Sequence, residues 1–340
     1  MTLVSIVTPS YNQASYLEYT IQSVLHQDYP NIEYIVIDGA SSDGSPEIIR
    51  RHAEPVGSTA RIAWWVSEPD SGQAEAINKG FQQAHGEIIA WLNSDDLYLP
   101  GAVSRAVAAL EGNPRLGMLF GDALTIDPRG RPLNHLSFGD WGLNELMAFR
   151  IICQPAVFMR REVLEAAGWL DLSYHFMLDH HLWLRIAGQA PIQHLPGLLA
   201  AARYHPEAKN VRQAAQFSQE ILRILAWMET KPELVPLLEA NHRKILGGAH
   251  RLSARYLLEG GLYSQALREY SLALFYSPRY AFAHWRRMAY AFLGLIGATR
   301  MADPLLDRQI KNRKQAALPA GIPLLDTQFM DWPGLCLETE

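Results

Sequence analysis

The stretch Glu87-Ile-Ile-Ala-Trp-Leu-Asn-Ser-Asp-Asp-Leu-Tyr-Leu-Pro100 runs an apolar segment straight into two adjacent carboxylates, Asp95 and Asp96. The apolar part, Glu87 to Leu92, has the length and composition of a buried strand. Two acids at its tip repel each other unless a cation lies between them or one turns into water. For the pair alone a solvated turn is the default reading; a metal site requires further acids to arrive at the same place.

Reading back toward the N-terminus supplies them. Leu3 to Thr8 is a short β-rich run followed by the turn chemistry of Pro9-Ser-Tyr-Asn12, and apolar positions Leu17, Ile21, Val24 and Leu25 then recur at helical spacing from Ser15 to Gln27. Ile32 to Ile37 forms a second strand, ending at Asp38-Gly-Ala-Ser-Ser-Asp-Gly44, with a helix from Pro46 to Arg51. Ile62 to Val66 forms a third, ending at Ser67-Glu-Pro-Asp-Ser-Gly72, with a helix from Gln73 to Ala84. Strands and helices that alternate in this way require a mainly parallel sheet flanked by helices. Ligands in such sheets bind beyond the carboxyl ends of the strands. Asp38, Asp70, Asp95 and Asp96 are therefore expected in one cleft.

Downstream, Gly101 to Glu111 reads as a helix, Gly117 to Phe120 as a strand, Asp127 to Gly130 as a turn and the apolar run 151–159 as another strand. Helices follow over Glu162 to Ala167 and His181 to Gly188, with Asp179 at the start of the latter, where the macrodipole favours an anion. Beyond Pro206 the strand signals stop. Within 247–280, Ala254, Gly261, Ala266, Tyr270, Ala273 and Pro278 fall at the spacing of one tetratricopeptide-like helical hairpin. The expected organisation is an α/β domain over 1–205, a helical appendage over 206–300 and an irregular tail over 301–340.

The 340 residues, 49% hydrophobic and 19% charged, suit a globular protein of more than one unit. Residues 1–205 carry 13 Lys+Arg against 22 Asp+Glu and residues 206–340 carry 17 against 13, so the second half is the basic one. That half reads as a solvated face, with peripheral attachment to an anionic membrane surface as the alternative. No nucleic-acid partner is expected. Cys153 and Cys336 are too far apart in sequence to suggest a disulfide framework or zinc motif. The start, Met1 to Pro9, lacks the basic and apolar regions of a signal peptide, and the apolar run Met288 to Ala298 is too short to span a bilayer, so a cytoplasmic chain is expected. Neither a Gly-x-Gly-x-x-Gly nor a Gly-Lys-Ser/Thr loop follows the first strand. Acid-rich strand ends without these motifs suit Mg²⁺ or Mn²⁺ held by one or two carboxylates and completed by substrate phosphates.

Six segments, in order, resemble the motifs of the family 2 inverting glycosyltransferases of the GT-A fold: Thr8-Pro-Ser-Tyr-Asn-Gln13, Ile37 to Gly44, Ser67 to Gly72, Asn78-Lys-Gly80, Gly86 to Asp96 and Leu178-Asp-His-His-Leu-Trp-Leu-Arg185. The resemblance covers about the first 205 residues. It implies that Thr8, Pro9, Tyr11 and Asp38 hold the nucleotide's base and ribose, that Asp70, Asn78 and Lys79 extend the donor pocket, that Asp95 faces the donor's ribose or sugar, and that Asp96 binds the metal bridging the diphosphate. It implies His205 as a further metal ligand, a role that favours Mn²⁺. Asp179 becomes the base that deprotonates the acceptor hydroxyl, although Leu178 stands where the family carries a second acid. Gln154 and Trp183 lie toward the acceptor by the same likeness. The implied partners are a nucleotide-diphosphate sugar and a hydroxyl-bearing glycan or lipid-linked acceptor, in bacterial polysaccharide or glycan assembly.

The plainer readings stay open at this point. Asp38 or Asp43 caps the helix from Pro46, Asp179 caps its own helix, and His205 is a packed histidine. His180 and His181 have no assigned role, and Trp64, Trp65 and Trp91 read as core. A sugar nucleotidyltransferase shares the sheet and the metal, but a glycine-rich basic loop after the first strand is missing. A scaffold that binds protein partners through the helical region is the alternative outside enzymology.

Overall fold

A computed structural model describes residues 1–54, 61–205 and 213–298. The first half alternates as expected: β1 (Val4–Ser10), α1 (Ala14–Leu25), β2 (Ile32–Asp38), α2 (Ser45–Ala53), β3 (Trp64–Ser67), α3 (Gln73–Gln83) and β4 (Ile88–Trp91). These strands pair in parallel in the order β3-β2-β1-β4, with Val4 opposite both Ile32 and Ile88. The chain moves outward from β1 to β3 on one side and returns to β4 on the other. The loops after β1 and β4 therefore part to leave a crevice, the usual place for a ligand in a parallel sheet.

Period-2 alternation divides these strands between two cores. Ile6, Tyr34 and Val36 pack with Leu17, Ile21 and Ile49 on one face, while Val7, Ile35 and Ile37 pack with Ile77 and Phe81 on the other. Each strand is apolar on both sides because helices cover both faces.

The second half makes the sheet mixed. After β5 (Leu97–Tyr98) and α4 (Ala102–Gly112) come β6 (Met118–Ile126), β7 (Pro132–Leu136), α5 (Leu143–Met147), β8 (Val157–Arg160), α6 (Arg161–Ala167), α7 (Leu178–Ala187) and β9 (Ile192–Arg203). The order continues β4-β8-β6-β9-β5, with β8 antiparallel to both β4 and β6, β6 parallel to β9, and β7 paired to the edge of β6.

Several expectations are corrected here. The run 151–159 is not one strand: Gln154–Ala156 forms a 3-10 turn and only Val157–Arg160 pairs. Pro155 has no N–H to give to a ladder, which explains the interruption. The strand from Gly117 continues to Ile126. The helix expected from His181 begins at Leu178, which puts Asp179 in its first turn. Strand β9 has no sequence signal because Pro196 and Gly197 interrupt its pattern; its register against β6 shifts around Asp122 to absorb them. The tail over 301–340 lies outside the described residues.

Beyond residue 213 the chain is helical: α8 (Ala214–Glu229), α9 (Val235–Glu259), α10 (Tyr263–Tyr276), α11 (Pro278–Phe282) and α12 (Trp285–Leu295). Phe217, Ile221, Ile224 and Met228 of α8 and Ile245 and Leu252 of α9 belong to the same buried cluster as Trp91 and Trp183. At Gly248 a Cβ would meet the Ala148 carbonyl oxygen at 2.0 Å, so α9 approaches the end of α5 as only glycine permits. Helices α9 and α10 form a hairpin with Ala254, Ala266, Tyr270 and Ala273 buried at their contact. Small residues on the facing sides allow this close approach. Among the described residues no helix is long and apolar enough to cross a membrane.

Candidate functional site

A cavity of about 870 Å³ opens at the carboxyl ends of β1, β2 and β4. Pro9, Tyr11, Gly39 and Asp70 form one wall and Trp91, Asn93, Asp95 and Gln154 the floor. His175 to Asp179 and His205 also line it, joined by Phe217 of α8 and Tyr256 of α9.

The loops on the first wall are tied to one another. Asn12 takes a left-handed φ of 51° and its side chain accepts the Ser42 N–H at 2.9 Å, while its own N–H donates to the Ser41 hydroxyl at 2.8 Å. Asp38 is fully buried and accepts the Ser41 N–H (2.9 Å) and the Ser41 and Ser67 hydroxyls (both 2.6 Å). It fastens the loops after β2 and β3 from behind and is not among the cavity's lining residues. The chain then comes close: a Cβ on Gly39 would meet Asp70 Oδ2 at 2.7 Å. Asp70 itself lines the cavity, with its carboxyl raised by desolvation and Oδ1 accepting the Gly72 N–H at 2.9 Å.

Three more expected donor contacts sit behind the wall. Thr8 is fully buried and its hydroxyl accepts from the Tyr34 hydroxyl at 3.0 Å. Asn78 bonds both ways with the Leu170 backbone, donating at 2.8 Å and accepting at 3.0 Å. Lys79 donates to Glu68 at 2.6 Å. Each has a protein partner that explains its place, whereas Pro9 and Tyr11 reach the cavity, Tyr11 with 63% of its surface exposed.

The aspartate pair splits. After β4 the chain turns, with the Asp96 N–H on the Asn93 carbonyl at 3.1 Å, and the two side chains leave on different sides. Asp95 lines the cavity and its Oδ2 lies 3.0 Å from His205 Nε2. Asp96 points inward, 5% exposed, and accepts the Arg203 N–H at 2.9 Å and the Asn93 amide at 3.2 Å. Desolvation, with Asp95 next to it, raises the Asp96 carboxyl well above the usual range. Of the two acids, Asp95, expected at the sugar, is the one that lines the cavity, while Asp96, expected at the metal, faces the Arg203 N–H and the Asn93 amide.

What brings Asp95 and His205 together is the pairing of β5 with β9, Leu97 opposite Ala201 and Tyr98 opposite Ala200. Arg203 then donates to the Asp95 carbonyl at 2.9 Å, and its guanidinium lies 4.8 Å from the centre of the Tyr16 ring. Among the described residues there is no group of three or more His, Cys, Asp or Glu placed to hold a metal. One carboxylate and one imidazole on the same cavity surface do fit a divalent cation whose remaining positions are filled by substrate phosphates and water.

Gln154 extends this floor. It donates to the Trp91 carbonyl at 2.8 Å and accepts from Asn93 at 3.0 Å, and Asn93 accepts from Gln73 at 2.9 Å. Trp183 is core, stacked on Trp91 with ring centres 5.1 Å apart. Trp64 stands 37% exposed on the edge strand β3, unlike Trp91.

Across the cavity Asp179 occupies the first turn of α7, and desolvation raises its carboxyl to about 6 against the opposing His180 N–H, which donates to it at 2.7 Å. His180 and His181 point into the core, where burial lowers them to about 4 and about 3, so both stay neutral near pH 7. Glu220, from α8, was not anticipated. It is 8% exposed and accepts three successive backbone N–H groups, of His175 (2.8 Å), Phe176 (2.9 Å) and Met177 (2.7 Å), one residue short of Asp179. The signal for it is visible afterwards: Glu220 falls on the apolar stripe Phe217, Ile221, Ile224, Met228, where an acid needs a buried partner. Tyr256 and Phe217, also unanticipated, stack with ring centres 4.2 Å apart.

The profile described as Glycosyl transferase family 2 matches residues 5–166. An uncharacterized glycosyltransferase of Mycobacterium tuberculosis is 31% identical over 191 residues, 54% of this chain and 68% of that protein. One of Rickettsia conorii is 30% identical over 215 residues, 61% of this chain, and the match spans only 35% of the Rickettsia protein's length. Among solved structures, S. aureus TarS 1-349 in complex with UDP-GlcNAc superposes with a TM-score of 0.57 at 16% identity, covering 90% of this chain and 92% of that one. The mannosyltransferase PcManGT from Pyrobaculum calidifontis, in complex with GDP-Man and Mn²⁺, gives 0.57 at 21% identity, covering 87% of each. These likenesses show the GT-A fold, a mixed sheet between helices followed by a helical region. The sheet, the ordered motifs and the relatives agree that this chain belongs to glycosyltransferase family 2.

Proposed function

We propose that this chain transfers a sugar from a nucleotide-diphosphate sugar to a hydroxyl acceptor with inversion, in a reaction dependent on Mg²⁺ or Mn²⁺, and that it serves bacterial polysaccharide or glycan assembly. The observation that carries the reading is a single cavity with Asp95 and His205 at one position and Asp179, raised to about 6, at another.

In this reading Pro9, Tyr11, Gly39 and Asp70 receive the nucleoside, while Thr8, Asp38, Asn78 and Lys79 support that wall from behind. Asp95 and His205 hold the cation, with Asp96 locking the turn that aims Asp95. When bound, the cation supplies Lewis-acid stabilisation of negative charge on the departing diphosphate. Asp179 is mostly ionised near pH 7 and accepts the proton of the acceptor hydroxyl as that oxygen attacks the anomeric carbon. Inversion follows from attack on the face opposite the diphosphate.

Titration calorimetry of UDP and of GDP, with and without Mn²⁺, tests the donor half. Binding of one of them should require Mn²⁺ and disappear in Asp95→Asn. Binding that ignores both the metal and this substitution would reject the assignment.

A further inference from the structure

The reaction cavity leaves unexplained the last helices of the described chain. Of the twelve large apolar side chains that stand exposed among the described residues, six lie between Phe275 and Ile296: Phe275, Phe282, Trp285, Phe292, Leu295 and Ile296, each 51 to 71% exposed. Such clustering of exposed apolar side chains marks an interaction site. On α12 the pattern is ordered. Trp285, Phe292 and Ile296 fall at i, i+7 and i+11 on one outward face, while Ala291, fully buried, and Met288 face the hairpin of α9 and α10. The helix is apolar on both sides, and only one side has a partner among the described residues.

The stretch of sequence that carries this face has charges of one sign. Between Tyr270 and Ala302 the sequence has four arginines and no aspartate or glutamate. Arg287 is held by Glu259 at 3.1 Å, but among the described residues Arg279 and Arg286 have no carboxylate partner, and the Arg286 guanidinium lies 5.4 Å from the centre of the exposed Trp285 ring. Exposed tryptophan and phenylalanine beside unpaired arginine is the composition that settles at a headgroup boundary, where the rings enter the acyl edge and the guanidinium groups meet phosphate. A second copy of the same face would set arginines against arginines, a like-charge contact that costs affinity.

We propose that the outward face of α11 and α12 docks on an anionic lipid surface, Trp285, Phe292 and Ile296 entering the interface and Arg279 and Arg286 pairing with lipid phosphates. Each such arginine contributes roughly fivefold in affinity at low salt, and the contribution fades as salt screens it.

The test is co-sedimentation of the full chain with vesicles of equal parts phosphatidylglycerol and phosphatidylcholine, against vesicles of phosphatidylcholine alone. The protein should sediment with the anionic vesicles, at least tenfold less with the neutral ones, and salt should release it. The double substitution Phe292→Ser with Ile296→Ser should lower binding at least tenfold, and Arg286→Glu severalfold, with the circular dichroism melt of each variant matching the parent because all three side chains are exposed. Absence of sedimentation with anionic vesicles, or sedimentation unchanged by these substitutions, overturns the proposal. So does a concentration-dependent dimer that the double substitution dissolves, which would assign the face to a second copy.

Discussion

Asp179 and Asp95 face one cavity, and the proposed reaction asks opposite things of them, one to take up a proton and the other to stay charged. Because desolvation raises Asp179 to about 6, kcat/KM should climb with pH through about 6 and level off above it, since only the ionised carboxyl accepts a proton. Asp179→Asn should lower kcat by roughly 10²- to 10⁴-fold while leaving nucleotide affinity within about threefold. The same shift has a sign for stability: a carboxyl raised on folding favours the folded state most below its unfolded value of 3.8, and that contribution is lost as pH rises through about 6. The variant should therefore melt above the parent at pH 8 and not at pH 3. The aspartate pair gives a sharper contrast. Asp95→Asn should abolish Mn²⁺-dependent nucleotide binding, whereas Asp96→Asn, which still offers the Arg203 N–H an oxygen, should retain it at a small loss of melting temperature. The reverse result would assign the metal to Asp96. From the sequence alone the two acids were indistinguishable beyond family likeness, because a turn decides which of two neighbours faces the ligand.

At the scale of elements, α8 is wired to the segment that leads to Asp179, the proposed base. Its Glu220 carboxylate gathers the N–H groups of three consecutive residues, and a rigid support of this kind is what precise placement of a reacting group requires. Glu220→Ala would leave buried donors without an acceptor, at a cost of about 2 kcal/mol or more, and should reduce kcat at least tenfold with donor binding unchanged. Glu220→Gln keeps one oxygen and removes the charge that helps raise Asp179, so the acidic limb of the pH profile should move to lower pH. Normal kcat in the alanine variant would show that the loop is held without Glu220. The first seven elements were legible because their apolar periods are strong and local. Strand β9 was not, because Pro196 and Gly197 break its pattern and its place depends on β6 and β5, far away in the chain.

The whole molecule unites the sheet with the first two of the later helices. Phe217, Ile221, Ile224, Met228, Ile245 and Leu252 complete the core that contains Trp91 and Trp183, so residues 1–205 made alone should lack a cooperative melt, judged by near-ultraviolet circular dichroism. The full chain should keep α8 and α9 as protected in hydrogen exchange as the sheet. Helices α10 to α12, packed in a smaller cluster around Ala254, Ala266, Tyr270 and Ala291, should open first. A separate, earlier transition for α8 would contradict the shared core. Sequence by itself determined the alternating first half, the acids at the strand tips and the helical character beyond residue 213, because apolar period and turn chemistry act over a few residues. Only the tertiary structure decided that Asp95 meets His205, 110 positions away, that Asp96 turns inward, and that Glu220, Phe217 and Tyr256 reach the cavity from helices. Those outcomes depend on strand order and helix docking, which no local stretch of chain encodes.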